Sequence, residues 1–137
     1  MIVVDNSVAV SWFLADELDP YAVTVLKALG ETQEMLVPPL WFLEFVNMML
    51  VAERRGRIQS DTRLDAMERL KSLPMRVAPS PTVFSVEVLH TLAHRHSLSA
   101  YDAEYLRIAK EMRLPLATLD RSLRDAAVRE SIALFEI

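Results

Sequence analysis

Four carboxylates stand at positions where a folded chain could bring them together. Asp5 ends the apolar run Ile2-Val3-Val4, and Asp120 ends a second one, Leu116-Ala117-Thr118-Leu119. Glu44 interrupts Leu40-Trp41-Phe42-Leu43-Glu44-Phe45-Val46, and Asp102 lies in Leu98-Ser99-Ala100-Tyr101-Asp102-Ala103. Acids gathered at one point repel one another and raise one another's pKa. A hard divalent cation removes that cost, and Mg²⁺ or Mn²⁺ takes carboxylate oxygens. The chemistry that such a group points to is metal-assisted phosphoryl transfer, most directly cleavage of a nucleic acid.

The elements that must position these acids alternate. Ile2 to Val4, Met35 to Val37, Met75 to Ala78, Leu116 to Leu119 and Ala133 to Phe135 read as short strands, the first of them buried. Between them, Asp19-Pro20 opens a helix with the stripe Ala22, Val25, Leu26 and Leu29 and a stop at Gly30. A long helix follows Pro38-Pro39 and runs to about Arg55, with Gly56 as its end. Ser60 starts a helix with the stripe Leu64, Met67, Leu70 and Leu73, Ser80-Pro81 starts one reaching Arg95, and Ser99 starts one ending near Arg113. A last helix passes through Leu123, Ala126 and Ala127. Strand–helix alternation with short connections predicts a parallel sheet covered by helices. In such sheets ligands bind beyond the carboxyl ends of the strands. Asp5 and Asp120 both sit there, on strands expected to be neighbours. Thr118 shares a face with Asp120, two residues on, and Ser7 can bring its hydroxyl to the same mouth.

Each acid also has an ordinary reading. Asp120 can cap the following helix, Asp5 can cap a short helix from Val8 to Phe13, and Ser99-x-x-Asp102 resembles a capping box. Against this, Asp102 shares a helix face with Leu106 and Ala109, which should look inward. Glu44 is harder to explain, because an unpaired buried carboxylate costs several kcal/mol, in round numbers. Asn47, one turn on, can orient Glu44 or a water. His90 and His94 have the i, i+4 spacing of a helical metal pair, but no third ligand follows. His96 suits a helix C-terminus. Arg54, Arg55, Arg57, Arg121 and Arg124 are candidate phosphate contacts, or surface charge. Asp125 is an extra acid near Asp120.

Composition sets bounds. The 137 residues suit a single domain over 1–137 that buries its own core. The absence of cysteine removes disulfides, thiolate catalysis and Cys-based zinc, and fits a cytoplasmic chain. No secretory leader is expected at Met1, and the longest apolar stretch, Met35 to Ala52, is interrupted by Pro38, Pro39, Glu44 and Asn47, so no membrane span is expected. Two glycines argue against a Gly-rich phosphate loop. A net charge of −4 gives no global attraction for nucleic acid, so any such binding must be local. The helix from Leu40 to Val51 has almost no polar face, and a helix apolar all round must be covered all round, by this chain or another.

In their order and contexts the motifs Val3-Val4-Asp5-Asn6-Ser7, Pro38-Pro39 with Leu43-Glu44-Phe45-Val46-Asn47, Leu98-Ser99-Ala100-Tyr101-Asp102-Ala103 and Ala117-Thr118-Leu119-Asp120-Arg121-Ser122-Leu123 resemble those of PIN domains. More narrowly the chain is similar to VapC-type toxin ribonucleases. Asn6 departs mildly from the small residue usual there. The resemblance implies a three-layer PIN-like α/β fold with a central parallel sheet of four to five strands flanked by helices. It implies a Mg²⁺- or Mn²⁺-dependent endoribonuclease whose metal-binding acids are Asp5, Glu44, Asp102 and Asp120, supported by Ser7 and Thr118. It further implies an RNA substrate, a VapB-type antitoxin partner and a homodimer. Two other functions compete. An aspartyl-phosphate phosphatase or receiver-like domain needs a second Asp or a partner Lys, which Asp5-Asn6-Ser7 and the residues after Thr118 lack. A non-catalytic PIN-like interaction module would use the acids as caps and surface charge.

Overall fold

The computed structural model describes residues 1–136. Strands β1 (Ile2–Val4), β2 (Met35–Val37), β3 (Met75–Val77) and β4 (Leu116–Ala117) form one parallel sheet in the order β3-β2-β1-β4. The register sets Val3 opposite Leu116 and Val4 opposite Ala117, so the strands that end in Asp5 and precede Asp120 are neighbours, as expected. Both are fully buried, which suits strands covered on two faces. The chain leaves β1 toward β2 on one side and returns to β4 on the other. The switch point of the sheet therefore lies between β1 and β4.

Among the described residues seven helices cover it: α1 (Asn6–Phe13), α2 (Pro20–Glu31), α3 (Leu40–Arg54), α4 (Ser60–Leu70), α5 (Val86–His96), α6 (Ala100–Met112) and α7 (Arg121–Arg129). Asp19 caps α2 by accepting from the Tyr21 N–H at 2.8 Å, with Pro20 in the first position. Gly30 does not stop α2, which continues to Glu31. The stop that glycine does supply is Gly56, at φ +71° after α3. Trp41, Phe45, Met49 and Ala52 form the buried stripe of α3, with the Trp41 and Phe45 rings stacked 5.4 Å apart.

Four expectations are corrected. β4 ends at Ala117 rather than Leu119, because the next amides bond to side chains: the Leu119 N–H donates to Ser7 Oγ at 2.9 Å and the Asp120 N–H to Thr118 Oγ1 at 3.0 Å. The expected fifth strand is a single bridge between Leu116 and Leu134, since a two-residue β4 leaves little edge to pair with. Leu64 is 57% exposed, and α4 turns Ala66 inward instead. The helix expected from Ser80 begins as a 3₁₀ turn over Val83–Ser85, capped by Thr82, before α5.

At the pole opposite the carboxyl ends of the strands, Glu130 ties three helices. Its buried carboxylate accepts from Arg95 Nη1, from His96 at 3.1 Å and from Lys110 Nζ at 2.9 Å. Burial pushes the Glu130 carboxyl up, but the bonds from His96, Lys110 and Arg95 outweigh it and hold the pKa at about 2. Glu130→Gln should lower stability by about 1–3 kcal/mol, the range for losing charge-assisted bonds at a buried group. Urea unfolding at neutral pH measures this. No loss would mean that the half-exposed Arg95 and Lys110 regain as much from water.

Candidate active site

Asp5 leaves β1 at its carboxyl end, where its N–H still donates to the Ala117 carbonyl at 3.0 Å. It is the N-cap residue of α1 by position, yet its side chain makes no cap bond. Asp5 Oδ2 accepts instead from Ser7 Oγ and Thr118 Oγ1, each at 2.7 Å. The two hydroxyls are 3.2 Å apart. Thr118 is fully buried and Asp5 nearly so. The cap reading of Asp5 therefore fails: its carboxylate sits in a hydroxyl cradle spanning β1 and the end of β4. Oδ1 carries no protein hydrogen bond among the described residues.

Asp120 does cap, accepting from the Leu123 N–H at 3.0 Å through Oδ1. Ser99 caps α6 by accepting from the Asp102 N–H at 3.1 Å. The return bond of a capping box, from the Ser99 N–H to the Asp102 carboxylate, is not made among the described residues. Asp102 is half-buried, with Leu106 and Ala109 of its face buried beneath it. Glu44, half-buried on the flank of α3, accepts from Tyr105 Oη at 2.6 Å.

These acids feel one another. Burial raises the Asp5 carboxyl above its ordinary 3.8; the Thr118 and Ser7 bonds oppose this, and the charges of Asp102 and Asp120 add to it. Asp102 is raised by burial and then by Asp120. Glu44 is raised by burial, held back by Tyr105 and Asn6, and pushed further by Asp5 and Asp102. Burial, the Asp5 charge and Glu44 all keep the Tyr105 hydroxyl protonated, so it acts as a donor. No Lys or Arg side chain pairs with any of the four acids among the described residues. The donors are all hard oxygens, which suit a divalent cation of the Mg²⁺ or Mn²⁺ type. As the side chains stand, no three of them converge closely enough to hold one ion, among the described residues. The site has the donor chemistry and the mutual repulsion of a cation site, without closed coordination.

The linkage is directional. Asp5, Asp102 and Glu44 have folded-state pKa values above their unfolded ones, so folding takes up protons and stability falls as pH rises past 3.8 and through the raised values. Glu130 runs the other way: its contribution is present above 4.5 and lost as pH falls toward about 2. Melts in EDTA across a pH series should therefore show a maximum near the ordinary carboxylate range and a decline toward neutrality. A melting temperature that climbs steadily to neutral pH would contradict the burial of these acids.

The remaining candidates are sorted by the fold. Asn47 faces solvent, because the turn from Glu44 to Asn47 rotates it nearly opposite the Phe45 side of α3. The residue that orients Glu44 is Tyr105, through the 2.6 Å bond from its hydroxyl. Tyr105 stands three residues from Asp102 on α6, a neighbouring face, but only the tertiary placement of α3 beside α6 identifies it. Arg54, Arg55 and Arg57 lie at the far end of α3, roughly 15 Å along the helix from Glu44 for ten residues, and Arg57 is paired with Asp16 and Glu17. Arg121 is exposed beside Asp120. Arg124 Nη1 donates to the Thr118 carbonyl at 3.3 Å, with its guanidinium over the Tyr21 ring, and so braces the end of β4. Asp125, His90 and His94 are exposed; the two histidine rings stack 6.0 Å apart without a third ligand.

The chain has relatives. It is 26% identical over 124 residues to Ribonuclease VapC3 of Pyrobaculum aerophilum, across 90% of this chain and 92% of that protein. The crystal structure of PAE2754 from Pyrobaculum aerophilum shares the fold, with a TM-score of 0.66 at 22% identity, covering 96% of this chain and 98% of that one. FitAcB from Neisseria gonorrhoeae does so with a TM-score of 0.65 at 18% identity, covering 99% and 97%. The family model for the PIN domain matches residues 2–129, and with the sheet order and the acid-lined switch point in place, the chain belongs to the PIN domain family.

Proposed function

We propose that this chain is a divalent-metal-dependent endoribonuclease, a single catalytic unit that acts in the cytoplasm as the toxin of a toxin–antitoxin pair. The observation that carries the reading is Asp5: a nearly buried carboxylate with one oxygen held by two hydroxyls, facing the charges of Asp102 and Asp120 with no basic partner. The name of the Pyrobaculum relative, a ribonuclease, supports the substrate class.

Asp5, Asp102, Asp120 and Glu44 would hold Mg²⁺ or Mn²⁺. When bound, such an ion lowers the pKa of a water and offsets the charge that builds on the phosphate. Ser7 and Thr118 fix Asp5 Oδ2 and so direct Oδ1 toward the mouth. Asp120 keeps Oδ2 free while Oδ1 caps α7. Arg121, exposed at the rim, can take an RNA phosphate, whereas Arg124 serves the site by holding the Thr118 carbonyl.

The chain forms a homodimer and binds a small VapB-type antitoxin. Support comes from α3, where Phe42, Leu43 and Val46 are 37%, 76% and 43% exposed on one flank. A run of large apolar side chains left in water marks a surface for another chain. No helix among the described residues is long and apolar enough to cross a membrane.

A non-catalytic PIN-like module is the second reading, favoured by the capping bond of Asp120 and by the lack of three converging acids. Titration calorimetry with Mn²⁺ separates the two. Wild type should bind Mn²⁺ and Asp5→Asn should bind it at least about tenfold more weakly. No binding by wild type would favour the module.

A further inference from the structure

We infer that Tyr105 is a positioning residue that fixes which oxygen of Glu44 faces the acid cluster, with Asn6 bracing the start of the helix that carries Glu44. The inference rests on the metal-nuclease reading and adds residues to it. Glu44 projects from α3 and is half-exposed, with three rotatable bonds that would let it turn into solvent. Tyr105 comes from α6, the same helix that carries Asp102, and its ring is fully buried. Its hydroxyl bond to Glu44 Oε1, at 2.6 Å, joins the two helices across the site. That bond occupies Oε1 and leaves Oε2 as the oxygen free for the mouth. A neutral phenol donor does this without supplying a positive charge that would compete with a cation.

Asn6 closes the arrangement from α1. Its Nδ2 donates to the Trp41 carbonyl at 2.9 Å, in the first turn of α3. Turning the amide over would set two carbonyl oxygens against each other, so the NH₂ end must face α3. That bond holds the first turn of α3, the helix from which Glu44 projects. Asn6 Oδ1 is buried without a partner, a cost that the fold tolerates on the residue directly following Asp5.

The test uses Tyr105→Phe, which keeps the buried ring and removes the hydroxyl, and Asn6→Ser, which removes the amide. Mn²⁺ binding by calorimetry and the Mn²⁺ concentration for half-maximal RNA cleavage are measured on each, beside wild type and Glu44→Gln. Tyr105→Phe should weaken Mn²⁺ binding and raise the half-saturating concentration by about 10- to 100-fold, with Asn6→Ser moving both the same way. KM for RNA at saturating Mn²⁺ should stay at the wild-type value. Melts in EDTA identify folded variants, and if one is unfolded the other decides. Wild-type Mn²⁺ binding and saturation in every folded variant, beside a clear loss in Glu44→Gln, would overturn the inference alone. No metal response in wild type or Glu44→Gln would sink the nuclease reading beneath it.

Discussion

Asp5→Asn should reduce RNA cleavage by at least about a hundredfold while leaving the metal-free protein as stable as wild type or more so. The two halves come from the same geometry. The substitution keeps an oxygen that can accept from Ser7 and Thr118, so the cradle at the end of β1 survives. It removes the charge that burial and the neighbouring Asp102 and Asp120 oppose. At neutral pH the unfolded chain carries Asp5 ionised at no cost, so neutralising it in the folded state removes a penalty. Activity depends on that same charge, since a neutral amide neither holds a divalent ion well nor helps to lower the pKa of its water. A loss of two orders of magnitude is the scale of losing one placed electrostatic group in a site shielded from water. RNA cleavage under saturating Mn²⁺ and melts in EDTA measure the two halves. A structural cap would give the opposite pattern, a stability loss of roughly 0.5–2 kcal/mol with activity spared.

Leu43→Glu should abolish the proposed homodimer, leaving a monomer at micromolar concentration. Leu43 is 76% exposed on the apolar flank of α3 that also carries Phe42 and Val46. Nothing in the fold of one chain covers it. A charge placed at the middle of an apolar contact loses the buried side chain and strands an unpaired carboxylate, on the scale of 2 kcal/mol or more, about thirtyfold in the dissociation constant. Glu44 points off the other flank, so its own site chemistry should be little disturbed. Sedimentation velocity of both proteins at several concentrations gives the answer. A wild type that is monomeric throughout would leave the antitoxin as the only proposed cover for this flank.

The backbone of this account was legible in the residues wherever local pattern and burial agree. Ile2 to Val4 and Leu116-Ala117 read as strands because fully covered parallel strands are continuously apolar. Asp19-Pro20, Ser99 and Gly56 marked helix ends through capping chemistry that needs no tertiary contact. The placement of Ser7 and Thr118 against Asp5 followed from strand periodicity and from the adjacency of β1 and β4. What failed depended on rotation about a helix or on competition for backbone donors. Asn47 and Glu44 are one turn apart in sequence, yet only the angle at which α3 lies on the sheet decides which of them reaches the site. Tyr105 reaches Glu44 from another helix, a contact with no local signature. The apolar run of α3 gave the right warning, but the chain alone could not say that the flank of Leu43, rather than that of Met49, is the one left open. Leu119 looked like strand because nothing in a linear reading shows Ser7 Oγ capturing its N–H.

The claim at the centre is that the acids around Asp5 hold a divalent ion that cleaves RNA, and it is most directly met by one assay. Wild-type protein is incubated with a labelled single-stranded RNA in Mn²⁺ and, in parallel, in excess EDTA, with the melting temperature recorded in each buffer. Cleavage is expected in Mn²⁺ alone, together with a higher melting temperature, on the order of 2.7 kcal/mol of added stability at a hundredfold excess over the dissociation constant. Equal cleavage in EDTA, with a melting temperature that ignores Mn²⁺, would contradict it.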